Sequence, residues 1–549
     1  MSKEVLPTID PQQLPDDVGV LKSLVEQLIV ELTKSRDRIT QLEHHMHLLV
    51  RKMYGRSSEK HDSHQQSLFD KDSETTEPLA ETQQLSTETT AATEGLSPPI
   101  AANDSRSSPK RNRRSPRPDN LERREIIHDL TAAEKRALAG EGELVLIGEE
   151  VTEQYEWEPS CLYVLRHIQK KYARRPALLE SGNSPETKNV ITASKPPQPI
   201  AGGKAGPGLL AWLITSRFCD HLPYHRQERI FERQGLRLSR QTTCDWARQM
   251  AELCHPLHEV MIAEVLRSYV LHSDDTPVKV RDARSKRQYT GRFWNYVGDE
   301  EHPLTVFAFT PDRSRDGPAE FLKNYRGYLQ ADAYSGYDHL YAQSRGAIIE
   351  VACWAHARRN FFDARHGDAL RAETAMAFIR QLYAVERSLK ERLQSDWREL
   401  SRAERATRVV AERQQHSRPV LEQFGDWLEH EAPKVLPKHP LRQAIDYVRN
   451  QWTALNRYCD DGHLAIDNNA AERAIRGIAI GRRNWLFCGS DRGGETAAIH
   501  LSLIASCQRH GIDPFRYLRH VYAQLPILQS TGNNPHDLRN LLPNRYQGS

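Results

Sequence analysis

The sequence predicts a multidomain protein built around a mixed α/β domain that gathers acidic residues, and three observations predict it. At 549 residues the chain is too long for one hydrophobic core, because domains run to roughly 100–200 residues. Three islands far apart in the chain place an acid at the end of an apolar run or just inside a helix start. Between and after them the pattern reads strand, strand, strand, helix, strand, strand and then helices, an order that can bring two strand ends and a late helix to one point.

Composition bounds the class. With 38% hydrophobic and 27% charged residues and a mean hydropathy of -0.69, the chain suits folded modules joined by polar segments. No apolar run is long enough to span a membrane, and the start MSKEVLPTIDP lacks the layout of a secretory signal, so no membrane partner and a cytoplasmic, nucleoid-associated location are expected. A net charge of +3 does not announce nucleic acid, although 76 Lys and Arg leave material for local basic patches. The cysteines, Cys161 to Cys507, are scattered without a C-x-x-C pair, which argues for reduced thiols and against a cysteine-rich zinc site.

From Leu21 apolar residues recur at alternating spacings of four and three: Leu21, Val25, Leu28, Leu32, then Ser35, then Ile39, Leu42, Met46, Leu49 and Met53. Such a seam reads as a coiled coil over 17–56, with a homodimer or higher oligomer as its consequence; an amphipathic helix packed on its own protein is the plainer alternative. Residues 57–120, rich in Ser, Thr, Glu, Gln and Pro, read as a disordered linker. Its basic run from Arg106 to Arg117 is either a solvated tail or a flexible contact to DNA phosphates.

A small β-rich module is expected over 121–180, with strands at Glu143–Ile147 and Cys161–Ile168, before a second Gly/Pro-rich linker over 181–208. Over 209–266 the pattern is helical. Arg226–Gln234, a break at Gly235, and Ser239–Met250 with Ser239 as N-cap predict a helix-turn-helix-like pair. Arg240 and Gln241, opening the second helix, are residue types that contact base edges or phosphates in a major groove, and a plain helical hairpin fits the same pattern.

The acidic islands follow. Ser268–Val280 is a β-type run that carries His272, Ser273, Asp274 and Asp275; Gly327–Asp338 is a short strand that ends at Asp332; Ile466–Arg476 opens a helix, with Glu472 just over one turn inside. Strands at Gly291–Val297, Leu304–Phe309 and Ala347–Val351 and a helix at Gly317–Asn324 complete an order that fits a ribonuclease-H-like layout. Two hard cations roughly 3.5–4 Å apart need oxygen ligands, and two Asp and one Glu suffice as the protein's share when waters and substrate phosphates fill the rest. Singly, an Asp at a strand end is a turn or cap residue; the ordered set is what points to a metal site.

These residues resemble the insertion-sequence 66 (IS 66) family of transposases, DDE type. The resemblance runs over nearly the whole chain through YGRSSEK at Tyr54–Lys60, IGEEVTE at Ile147–Glu153, DHLPYHRQERIF at Asp220–Phe231 and LSRQTTCDW at Leu238–Trp246. It is closer still through HSDDTPV at His272–Val278, LQADAYSGYD at Leu329–Asp338, VACWAHARRNFFDA at Val351–Ala364 and IDNNAAERAIRGIAIGRRNWLFCGSDRGGE at Ile466–Glu495. It implies Asp274, Asp332 and Glu472 as the catalytic and metal-holding DDE triad, with Mg2+ or Mn2+ as cofactor; no zinc is expected, because the cysteines are scattered. It further implies cleavage at transposon ends, strand transfer into target DNA, and element-encoded accessory proteins as partners. The catalytic domain would cover 267–495, with a helical insertion over about 366–458, and a C-terminal helical segment would cover 496–549.

Around the triad, His356 with Cys353 and Trp354 is too small a set for a closed zinc site and reads as DNA-facing or structural. Arg358, Arg359, Arg473, Arg476, Arg482 and Arg483 read as phosphate contacts, against a merely solvated face. Trp485 stacks on a base or belongs to the core. One departure is clear. Similar proteins carry a four-cysteine zinc module, whereas the corresponding positions near Ala137, Gly140, Arg174 and Ala177 hold no ligand, so 121–180 reads as a degenerate zinc-finger-like module lacking cysteines. The competing functions are a catalytically inactive, sequence-specific DNA-binding protein derived from a transposase, and a stand-alone nuclease.

Overall fold

The computed structural model describes residues 121–139, 143–158, 161–175, 190–281, 288–532 and 534–548. The heptad seam, the linker over 57–120 and the start of the second linker lie outside the described residues. Among the described residues no helix is long and apolar enough to cross a membrane.

The first part is a twisted sheet of β1 (Arg123–His128), β2 (Glu143–Glu158), β3 (Cys161–Arg175) and β4 (Val190–Thr192), with helix α1 (Ala132–Ala139) beside it. The order is β1-β3-β2 with β4 on β3; β1 runs parallel to β3 and β2 antiparallel. Both long strands exceed the predicted lengths, because period-2 alternation continues through charged residues whose partners lie across the ladder, such as Lys171 with Glu150 at 2.9 Å. A bulge between Leu146 and Gly148 shifts the register once.

Helices α2 (Pro207–Phe218), α3 (Tyr224–Arg233) and α4 (Arg240–Val265) follow. Ser239 caps α4 by accepting the Thr242 N–H at 3.1 Å, as its sequence position predicts. Gly235 takes φ +83° in the turn, a conformation that favours glycine. The second helix runs well past the predicted Met250, because Ala251, Cys254, Leu257, Met261 and Val265 prolong its buried stripe.

The second sheet contains β5 (Val270–Arg281), β6 (Gln288–Val297), β7 (Thr305–Thr310), β8 (Gly327–Gln330) and β9 (Ile348–Val351), with α5 (Asp316–Leu322) and α6 (Asp338–Gln343) in its connections. Its order is β7-β6-β5-β8-β9: the first three strands are antiparallel and the last three parallel, so β5 stands where the two arrangements meet. Helix α7 (Trp354–Ala364) leaves β9. The insertion comprises α8 (Ala369–Gln394), α9 (Arg402–His416), α10 (Arg418–Glu431), α11 (Pro440–Asn450) and α12 (Trp452–Asn456); all but α9 share with α7 a core around Trp354, Phe361 and Phe424, while α9 packs Val409 on Leu389 and Trp397.

Helix α13 (Asn469–Trp485) buries Ala471, Ile475 and Ile478, a stripe at helical spacing, against β5 and β6. A short strand, β10 (Phe487–Cys488), returns to pair with β5 at Lys279 and Val280. Then come α14 (Asp491–Arg509), α15 (Pro514–Ser530) and α16 (Pro535–Asn540). The C-terminal helices belong to this core: β7 is an edge strand, and α14 covers it, Ser506 and Ser502 accepting the N–H groups of Thr305 and Phe307 at 3.0 and 2.8 Å.

Candidate active site

Parallel pairing of β5 with β8 ends at His272 opposite Gln330. Asp274 and Asp332 each lie two residues further on, so the register carries Asp274, inside β5, and Asp332, just past the end of β8, to neighbouring positions on adjacent strands, which are about 4.8 Å apart. With a period of two, both also fall on the same face as the residues they follow.

Glu472 is brought to them by buried amides. Asn295 on β6 accepts the N–H of Asp274 at 2.9 Å and donates to the carbonyl of Ala471 at 2.7 Å, which ties the first acid's strand to the third acid's helix. Asn468 donates to the carbonyl of Ser273 at 2.7 Å and pairs with His272 Nδ1 at 3.1 Å. Gln330, at the end of β8, donates to the carbonyl of Ala465 at 2.7 Å. Asn295, Asn468 and Gln330 are all fully buried, where an amide left unpaired is costly, so each bond constrains the helix start. Asp467 caps that start, accepting the Asn469 N–H at 3.1 Å and the Tyr383 hydroxyl at 2.9 Å.

The neighbouring acids Asp274 and Asp275 differ sharply. Arg292 reaches Asp275 at 2.8 Å, and Arg313 reaches its other oxygen at 2.8 Å, so this carboxylate, 3% exposed, is neutralised from two sides. Asp274 has no basic partner among the described residues. Burial, then the charges of Asp332, Glu472 and Asp275, push its carboxyl up to about 7, although the Asp275 N–H donates to it. Asp332 is also raised, by burial and by Asp275, with Arg313 opposing; Arg313 Nη2 lies 3.9 Å from it. The two aspartates, buried and raised by neighbouring acids, offer the oxygen donors that suit a hard divalent cation.

His356, the third residue of α7, sets Nε2 3.8 Å from Glu472 Oε1. Burial and the nearby Arg359 charge push its imidazole down to about 4, so it stands neutral against the glutamate, half-buried within the site. Cys353 Sγ, a nitrogen of His356 and an oxygen of Glu472 lie within 4.8 Å of one another, a grouping that counting Cys and His alone does not find. Burial pushes the Cys353 thiol up to about 12, and its sulfur accepts the Asn468 N–H at 3.2 Å. It therefore anchors the start of α13.

The predicted basic residues part company. Arg359, Arg473, Arg476 and Arg483 are exposed, and Arg358 is half-buried on α7. Arg482 donates through Nη1 to the Thr276 hydroxyl and the Pro277 carbonyl, both at 2.8 Å, clamping α13 to β5. Far along the chain, Arg240 faces Glu228 at 3.5 Å, and Gln241 donates to Asp245 at 3.1 Å; both are exposed at the start of α4. Trp485 is core, 8% exposed, with the Arg217 guanidinium 5.2 Å from its ring. Sequence reasoning missed Asn295, Arg292 and Arg313. The signal for Asn295 was present, a lone amide inside the apolar run Phe293-Trp294-Asn295-Tyr296.

A family model described as Transposase IS66 family matches residues 202–496, one described as Transposase C of IS166 homeodomain matches 41–126, and one described as IS66 C-terminal element matches 502–543. The chain is similar to three proteins of Sinorhizobium fredii (strain NBRC 101917 / NGR234). Uncharacterized protein y4hP is 31% identical over 437 residues, 76% of this chain and 74% of that protein. Uncharacterized protein y4jD is 30% identical over 470 residues, 81% and 86% of the two chains, and uncharacterized protein y4qI is 28% identical over 554 residues, 94% of each.

Proposed function

The chain belongs to the IS66 family of transposases, and from that premise we propose that it cuts DNA at transposon ends and joins the freed 3′-OH to target DNA, with Asp274, Asp332 and Glu472 as its catalytic carboxylates. The observation that carries this reading is the placement of the three acids: the β5–β8 register sets the two aspartates on adjacent strands, and Asn295 ties the strand of Asp274 to the helix of Glu472. The strand order β7-β6-β5-β8-β9, with α13 across its centre, supports a ribonuclease-H-like core.

When bound, a pair of Mg2+ or Mn2+ ions supplies activation of the attacking oxygen and charge compensation at the leaving one. The chain's own part is positional and electrostatic. Asp274, Asp332 and Glu472 carry three oxygen-donor groups on elements tied together by buried amides. Arg292 and Arg313 occupy Asp275 and leave Asp274 open to a cation. A neutral His356 borders Glu472 without competing for its charge. The exposed Arg359, Arg476 and Arg483 can neutralise phosphates near the site, and Arg240 and Gln241 stand at an exposed helix start suited to a groove. A dimer formed through the amino-terminal seam would hold two transposon ends in one complex, with element-encoded accessory proteins as further partners.

The test incubates labelled transposon-end DNA and Mn2+ with the wild-type protein and with Asp274→Asn, Asp332→Asn and Glu472→Gln. Cleavage and joining should fall on the order of 10³-fold in each variant while DNA binding persists. Equal cleavage by all four proteins overturns the assignment. Binding without cleavage by the wild type identifies an inactive DNA-binding derivative instead.

A further inference from the structure

A cleft of about 810 Å3 opens between the core and the helical insertion, on the flank of α13 turned away from Glu472. Ala470, Arg473, Ala474 and Gly477 line it at spacings of three and four, hence one helix face. Successive residues diverge by about 100° on a helix, so Arg473 points into the cleft while Glu472 points to the acids. Three of these four residues are small, and a Cβ built at Gly477 meets nothing within 4 Å, so the wall is smooth and a bulky chain can lie close to it.

The lining is strongly basic. Lys390 on α8, Arg402 and Arg405 on α9, Arg473 on α13 and Arg509 on α14 face it, against Asp299 and Glu300. Asp299 is already occupied, accepting the Tyr269 N–H at 2.7 Å and lying 3.6 Å from Arg402. Arg509 donates to the carbonyls of Leu304 and Gly298 at 3.0 and 2.8 Å, with the Asp299 and Glu300 charges nearby. Lys390, Arg405 and Arg473 pair with no carboxylate among the described residues, and the Nε of Arg405 is buried without a hydrogen-bond partner. No Phe, Tyr or Trp lines the cleft, and its only rings are those of His272 and His463.

We propose that this cleft holds the sugar–phosphate backbone of a DNA strand without reading its bases, and that the helical insertion supplies the cleft's outer wall. The inference rests on the transposase reading for the identity of the polyanion. One helix diameter, about 10 Å, separates the cleft from the carboxylates, so the strand held here continues from the one being cut. Excess cation charge on a smooth wall fits a repeating phosphate chain, whose contacts position DNA without specifying sequence.

The experiment measures binding of the full chain, in EDTA, to two labelled duplexes of unrelated sequence over a salt series. Lys390→Gln/Arg405→Gln should bind both about tenfold or more weakly near 0.1 M salt, and the slope of log K against log salt should flatten by about 1.8 for two lost phosphate contacts. The charge-keeping pair Lys390→Arg/Arg405→Lys should bind within about twofold of wild type. Unchanged affinity and slope in the neutral pair overturns the proposal, as does a loss confined to one duplex or equal displacement of DNA by polyglutamate. Should the neutral pair fail to fold, the exposed single change Lys390→Gln decides, with a slope flattened by about 0.9 expected and an unchanged slope overturning it. Asp274→Asn separates the two readings: normal binding in EDTA without cleavage in Mn2+ is expected, whereas cleavage by this variant would sink the carboxylate assignment and leave the cleft standing.

Discussion

Two buried carboxyls, Glu156 on β2 and Asp274 on β5, are both pushed up to about 7, and burial is the first cause for each. Their surroundings act in opposite directions. Glu156, 2% exposed, accepts the N–H groups of Trp157 and Leu209, both at 2.9 Å, and the Arg519 charge favours its ionised form. It thereby serves the start of α2, and a Cβ at Gly206 or Gly208 would collide with its carboxylate, which is why glycines stand there. Asp274 has one backbone donor, while three acids raise it further. Burial by itself therefore does not mark a functional acid. What separates the two is whether the neighbours complete the charge or leave a deficit that only a cation fills.

The sharpest way to break this comparison is pH. In metal-free protein the fold holds a proton on each acid that the unfolded chain releases between its ordinary value, near 4, and about 7. The native state binds more protons across that window, so stability falls as pH rises through it. Urea unfolding at pH 5 and pH 8 should show a loss on the order of 3 kcal/mol traceable to Asp274, absent in Asp274→Asn and removed by Mn2+. The share traceable to Glu156 should persist with Mn2+ present; a cation that erased both would erase the distinction.

A somewhat smaller effect is expected at Asn295. Asn295→Ala removes an amide that bonds both the strand of Asp274 and the helix of Glu472, leaving two buried backbone groups unpaired, and should lower stability by about 2–3 kcal/mol. Cleavage should also slow by at least about tenfold under conditions where the variant is folded, since the acids lose their mutual alignment. Glu156→Ala should cost about 1–2 kcal/mol, the range for losing a helix N-terminal acceptor, and leave the cleavage rate of the folded protein within about twofold of wild type. Comparable rate losses in both variants would mean that the two regions are not functionally distinct.

Much of the candidate site was legible locally. An apolar run that ends in acids announced β5 and β8, and Asp467 ahead of an Asn pair announced the start of α13. What distinguishes Asp274 from Asp275 was not legible, because Arg292 and Arg313, which neutralise Asp275, sit 17 and 38 residues away. Nor was the task of Arg482, whose partners on β5 lie more than two hundred residues back. The reach of α4 beyond Met250 and the full length of β2 and β3 were underread, since buried stripes and cross-strand pairs outlast the local pattern.

By itself the sequence determined the succession of strands and helices and the acids they carry, because period-2 and period-3.6 patterning, caps and glycine breaks act over a few residues. Only the tertiary structure decided which acid keeps its charge uncompensated, which arginines face outward, and that an insertion and a core together enclose a basic cleft. Those outcomes depend on fields and hydrogen bonds between residues far apart in the chain, and a charge's environment exists only once its neighbours have been folded around it.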